Sequence, residues 1–299
     1  MAQRAATHGL VEELERTGIL LFDDLLTPEQ LTGMQQGFRS RLERLRWNDF
    51  DGYEKNDPYR HMVQDVLTLA PGFVDLALHP LVKEVMRGYL GPEYALVEAK
   101  GWLSVPTQKD FHGWHGDAWY DQTKVTEVQR ELKMAVYLTD VRSGAFNYIK
   151  GTHTLMHPRL IGKDEVRKWA DHEIVEVLGR AGTVCLFDTS GVHRQATPIL
   201  EPREAVFYCF HDPGIPLQQE DVDYYRYHTL VLNAAFLGGL SEEDERILGF
   251  GDRRNYVAAF RRTSKHTRFQ TLVSRAWDAT LSWDRFSERV RGRLRRLGK

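Results

Sequence analysis

The chain has 299 residues, with 40 Lys and Arg against 42 Asp and Glu, a net charge of −2 when its 12 His are taken as neutral. An apolar share of 42% beside 27% charged residues suits a buried core under an ordinary polar surface, and excludes a disordered chain or a general basic field for nucleic acid. Two cysteines, Cys185 and Cys209, cannot make a disulfide scaffold, and no run of about 18 apolar residues offers a membrane span. The N-terminus meets acidic residues before any apolar stretch of signal-peptide length, so the expected location is cytoplasmic.

The first third reads as mainly helical. A short helix is expected over residues 10–16, followed by the apolar run Ile19-Leu20-Leu21-Phe22, the signature of a buried strand. Thr27-Pro28-Glu29-Gln30 then combines a capping hydroxyl, a proline at the first helical position and a glutamine three residues after the cap. That predicts a helix over residues 28–45. A further helix is expected over 80–90, stopped by Gly91-Pro92. From residue 94 the texture changes. Residues 94–105, 132–138, 146–149, 174–177, 183–187 and 205–210 are short runs rich in β-branched and aromatic side chains, separated by turns. Strands this closely spaced, without regular helices between them, argue for a sandwich or barrel. After Pro216 the pattern is helical again and ends in an amphipathic stretch over 269–297. Its last fifteen residues, 285–299, hold seven basic side chains and one acid, Glu288. A solvated or subunit-packed helix face is the expectation there.

The richest segment is Phe111-His112-Gly113-Trp114-His115-Gly116-Asp117-Ala118-Trp119-Tyr120. His115 and Asp117 stand two residues apart, so on an extended segment they point to one side while His112 points away. A metal held there needs a further ligand from elsewhere in the chain. His193 is the natural candidate, because it follows an apolar strand and the turn Asp188-Thr189-Ser190-Gly191-Val192. Two imidazoles and one carboxylate form the facial triad of non-heme Fe(II) oxygenases. Arg203, ten residues past His193, is suited to grip an acid co-substrate with its planar fork. Asp188, His153 and His157 read as structural. Cys185 and Cys209 lie within apolar strand patterns and read as inert buried thiols.

This arrangement resembles the phytanoyl-CoA dioxygenase branch of the Fe(II)/2-oxoglutarate-dependent oxygenases. The family's Trp-His-x-Asp-x-x-Tyr motif is matched by Trp114, His115, Asp117 and Tyr120. Its Gly-led strand closing in Pro-Gly-Ser/Thr-His resembles the stretch from Gly144 to Gly151-Thr152-His153, with Lys150 in place of the proline. Its distal pattern is matched by Gly182, His193 and Arg203. The likeness covers residues 90–212. It implies a double-stranded β-helix (jelly-roll, cupin-like) core over residues 94–212 of a single catalytic domain, 1–299. A helical part, 1–93, would precede that core and a helical extension, 213–299, would follow it. His115, Asp117 and His193 would hold Fe(II), and Arg203 with Gln195 would bind 2-oxoglutarate. Trp102, Trp114, Trp119 and Tyr120 would be candidates to line a substrate cavity.

The implied reaction is oxidation of a C–H bond in a small-molecule metabolite by O2, with 2-oxoglutarate leaving as succinate and CO2. Asp117 separates the chain from a halogenase subgroup in which a small residue replaces this carboxylate. Two other readings stay open: a metal- or 2-oxoglutarate-binding module without turnover, and a zinc hydrolase using the same three ligands. The substrate and the oligomeric state are not legible. The polar connections 47–61 and 121–130 are expected to close over the cavity as lids.

Overall fold

The computed structural model describes residues 2–43, 60–110, 113–118, 120–128, 130–212 and 230–250. Its strands, in chain order, are β1 (Ile19–Phe22), β2 (Arg60–Val63), β3 (Ala95–Ser104), β4 (Trp114–His115), β5 (Glu131–Tyr137), β6 (Val141–Ile149), β7 (Leu160–Ile161), β8 (Ile174–Gly179), β9 (Val184–Asp188), β10 (His193–Gln195) and β11 (Arg203–His211). They form two antiparallel sheets. One has six strands in the order β1-β9-β5-β11-β3-β2, and the other has five in the order β7-β4-β10-β6-β8. From β3 to β6, and again from β8 to β11, successive strands alternate between the two sheets. This is the jelly-roll arrangement that the sequence implied.

The helices are α1 (Ala2–Thr17), α2 (Pro28–Leu42), α3 (Pro71–Ala77), α4 (Pro80–Leu90), α5 (Lys163–Val166) and α6 (Glu242–Ile247). Most of them cover one face of the six-stranded sheet. Alternation along the central strands explains how. Leu132, Met134 and Val136 of β5, with Val206, Tyr208 and Phe210 of β11, join Phe38 of α2 and Val82, Val85, Met86 and Tyr89 of α4 in the main core. The intervening residues Ala135, Tyr137 and Ala205 turn to the other sheet, where they meet Phe146, Tyr148 and Val177 in a second apolar cluster. Each central strand is therefore buried on both faces, and the second face carries the site.

Most expectations for the elements hold with small changes of boundary. The capping box before α2 is present: Thr27 Oγ1 accepts from Gln30 N–H at 3.2 Å, and Gln30 Oε1 accepts from Thr27 N–H at 3.0 Å. Helix α4 ends where Gly91 takes a left-handed φ of 92°. Helix α1 begins eight residues earlier than read, at Ala2. Strands β2, β4, β7 and β10 and helix α3 were not anticipated. The basic stretch 285–299, His112, Trp119 and most of the 47–61 connection lie outside the described residues. Among the described residues no helix is long and apolar enough to cross a membrane.

Candidate metal centre

His115 closes β4, His193 opens β10, and the two are direct partners across that antiparallel pair. Partners on one face of a ladder carry their Cβ atoms about 4.5–5.5 Å apart. The two imidazole centroids stand 4.5 Å apart, tilted by 53°. Asp117 follows β4, its backbone N–H donating to Thr189 O at 2.8 Å, which ties it to the turn between β9 and β10. Its Oδ1 lies 3.6 Å from His115 Nε2 and its Oδ2 lies 3.4 Å from His193 Nε2. One ligand atom from each of these three residues falls within 4.8 Å of the others.

Both rings are held in the same tautomer. His115 Nδ1 lies 3.0 Å from Gly113 O, and His193 Nδ1 lies 2.8 Å from Gly191 O. A carbonyl only accepts, so each Nδ1 carries the hydrogen and each Nε2 presents its lone pair toward Asp117. The turn before His193 is braced by Asp188. Its Oδ1 accepts from Ser190 N–H at 2.8 Å and from the Ser190 hydroxyl, and its Oδ2 accepts from Tyr89 Oη at 2.6 Å. Gly191 leaves room for the Tyr148 ring, which a Cβ there would overlap. Asp188 is thus a turn-building residue, as the sequence indicated.

Lys133, on the site-facing side of β5, donates to Asp117 Oδ2 at 2.7 Å. Burial by itself would raise the Asp117 pKa. Neighbouring charge, that of the Lys133 ammonium foremost, outweighs that and holds it well below the usual carboxylate range. The same pairing overcomes the burial of Lys133 and pushes its pKa up. Sequence reasoning missed Lys133. The available signal was a charged residue recurring at every second position of otherwise apolar strands, as in Glu131 and Lys133 or Glu98 and Lys100.

Arg203 opens β11 and is 5% exposed. Its Nη1 donates to Gly144 O at 2.7 Å, while its buried Nε has no partner. No carboxylate among the described residues pairs with it, and burial draws its pKa down. A guanidinium buried without a counter-charge is costly, and an acid co-substrate would remove that cost. Gln195 sits two residues after His193 on β10, hence on the same face, and its buried Nε2 also lacks a partner. Spare donors beside a His-Asp-His set fit 2-oxoglutarate and a ferrous ion.

The other sequence candidates are spread more widely. Trp102 is half-buried on the site-facing side of β3, with the Arg60 guanidinium 3.7 Å over its ring. Trp114 lies on the opposite side of β4 from His115, packed with Ile149, Ile161 and Val192 under Arg194, so the structure does not bring it to the site. Tyr120 is 9% exposed. His153 Nε2 lies 3.1 Å from Glu15 O, and the His157 ring is wedged between the carbonyls of Pro158 and Ser190. Cys185 and Cys209 are buried and in no disulfide, and burial pushes the Cys185 thiol up to about 12.

Residues 14–197 match the phytanoyl-CoA dioxygenase (PhyH) family. The chain belongs to that family. Its members are non-heme enzymes that depend on iron and 2-oxoglutarate, and this dioxygenase shares their cofactors. No curated sequence matches it. Among solved structures it is similar to EctD from S. alaskensis, crystallised with 2-oxoglutarate and 5-hydroxyectoine. That likeness has a TM-score of 0.60 at 20% identity over 81% of this chain and 87% of the other. SnoK, a non-heme alpha-ketoglutarate-dependent carbocyclase from nogalamycin biosynthesis, gives a TM-score of 0.54 at 19% identity over 68% and 83%. The epimerase SnoN, in complex with Fe3+ and alpha-ketoglutarate, gives 0.53 at 18% over 74% and 89%. At such identities these likenesses speak for the fold.

Proposed function

We propose that this dioxygenase oxidises a C–H bond of a small-molecule metabolite, in the simplest case by hydroxylation, and that the whole chain is one catalytic unit. Iron with 2-oxoglutarate and O2 supplies the oxidising power, one oxygen atom entering the substrate while the other leaves in succinate beside CO2. His115 and His193 hold the iron through Nε2, each steadied by its Nδ1–H on a backbone carbonyl. Asp117 is the third ligand, and Lys133 occupies one of its oxygens so that the carboxylate keeps a single orientation. Arg203 pairs with the distal carboxylate of 2-oxoglutarate, and the Gln195 amide donates to the same co-substrate. The apolar residues between the sheets, Tyr137, Phe146 and Phe187 among them, keep water from the reacting centre.

The observation that carries this reading is the convergence of the His-Asp-His set with one buried, uncompensated guanidinium. The same guanidinium speaks against a zinc hydrolase, which has no acid co-substrate to anchor. The expected outcome is Fe(II)- and O2-dependent conversion of 2-oxoglutarate to succinate, stimulated by substrate and abolished together with iron binding in His115→Ala. Turnover that persists in that variant refutes the ligand assignment, and 2-oxoglutarate bound without succinate across a broad substrate panel favours a sensor.

A further inference from the structure

β8 is the last strand of the five-stranded sheet, paired on one side with β6 and on the other with no strand among the described residues. Its inward side chains are accounted for, since Val175 and Val177 join Phe146 and Tyr148 in the second apolar cluster. Its outward side chains are not. Ile174 is 48% exposed and Leu178 47%, with the exposed Glu176 between them, and the alternation runs one residue past the strand to the exposed Arg180. An edge strand offers a row of backbone donors and acceptors to any further strand, and proteins commonly blunt or cover it. Along β8 the outer stripe reads apolar, acidic, apolar, basic. Charges of both signs bar a strand of the wrong pattern and admit one of the right pattern. Arg180 does hold the exposed Asp24 at 3.1 Å, a surface pair of little worth that its fork can keep beside a second carboxylate. The Val177 carbonyl accepts from Tyr137 Oη at 2.9 Å and has a second lone pair to offer.

The pattern matches itself turned around. A second copy of β8 laid antiparallel against the first, about a two-fold axis normal to the sheet, keeps outward residues opposite outward residues. The axis can pass any residue of the strand, and charge decides which. At Glu176 it sets the two Glu176 carboxylates against each other. At Val177 it sets Glu176 against Leu178 and Ile174 against Arg180. At Leu178 it brings the two Leu178 side chains together and pairs Glu176 of each copy with Arg180 of the other, twice over. Partners directly opposite have Cβ atoms about 4.5–5.5 Å apart, within reach of an ion pair. We infer that β8 is the interface of a symmetric homodimer, centred on Leu178, in which the two five-stranded sheets run on as one of ten. A second copy fits better than a foreign strand because the stripe is its own complement. His193 lies on β10, two strands in from that junction, so each metal centre stays within its own copy.

The test weighs the full chain in solution by sedimentation equilibrium, where the parent protein is expected to show the mass of two chains. Glu176→Arg and Arg180→Glu each set like charges across both pairs. Each is expected to weaken the dimer about a hundredfold or more, a factor in the range that like charges across an interface impose. Both side chains are exposed, which keeps the fold itself out of the question. Mixed in equal amounts, the two variants present opposite charges to each other, so they are expected to associate as a heterodimer although neither pairs with itself. Both changes on one chain swap the pair and are expected to restore the homodimer. Hydrogen exchange at the amides of β8 should be slower in the parent than in either single variant. A parent that stays monomeric at its highest soluble concentration overturns the inference and leaves the edge to a foreign strand. A parent dimer indifferent to either reversal overturns it too, because the contact then lies elsewhere. So does a loss that neither the mixture nor the double change recovers.

Discussion

Arg203 is the side chain proposed to tie the fold to the co-substrate. A charge-assisted bond between its guanidinium and a carboxylate is worth roughly 1.5–3 kcal/mol, so Arg203→Gln is expected to weaken 2-oxoglutarate binding by about 10- to 150-fold. Iron affinity measured without co-substrate should stay close to that of the parent, because Arg203 does not touch the triad. Gly191 sets a different kind of limit. A methyl group there collides with the Tyr148 ring, and Gly191→Ala is expected to cost about 1–3 kcal/mol by overpacking, read as a Tm lower by several degrees. The meeting of His115, Asp117 and His193 was legible in the sequence because each stands in a spaced pattern with its own chemical logic. Lys133, Glu98 and Lys100 were not. A charged residue inside a strand reads as solvent-facing until the register shows that its side of the strand looks at another sheet.

At the level of elements, the long strands and capped helices announce themselves through periodicity and caps, as β5, β11 and α2 do. The short strands β4 and β10 carry too few residues for any periodicity, and only their pairing to each other and to β6 makes them strands. The two imidazole ligands sit on these short pieces, so their convergence could be expected from motif spacing and not from secondary-structure pattern. Trp114 illustrates the converse. Its place in the motif suggested the cavity, but neighbouring residues of a strand face opposite ways, and His115 takes the inner side. The turn that delivers His193 is fastened to α4 by the Tyr89–Asp188 hydrogen bond. Tyr89→Phe leaves one carboxylate oxygen without its buried donor and is expected to lower stability by about 1.5–3 kcal/mol in urea titration. An unchanged midpoint would show that α4 does not brace that turn.

Across the whole molecule, acid sensitivity should trace in part to His211, which ends β11 and is 2% exposed. Burial lowers its pKa from 6.5 to about 3. Between those values the unfolded chain binds a proton that the folded chain refuses. The stability held by the neutral ring is therefore complete above pH 6.5 and lost as the pH falls toward 3, by about 1.4 kcal/mol per unit. His211→Gln is expected to flatten the urea midpoint's dependence on pH through that window relative to the parent, and parallel curves would contradict the assignment. The alternation that buries every central strand on both sides has a longer reach than stability. Leu132, Met134 and Val136 answer to the helices, whereas Lys133, Ala135 and Tyr137, threaded between them, answer to whatever enters from the other side. Descendants of this chain can accordingly explore new reactivity by altering every second residue, while the scaffold is inherited unchanged through the residues in between.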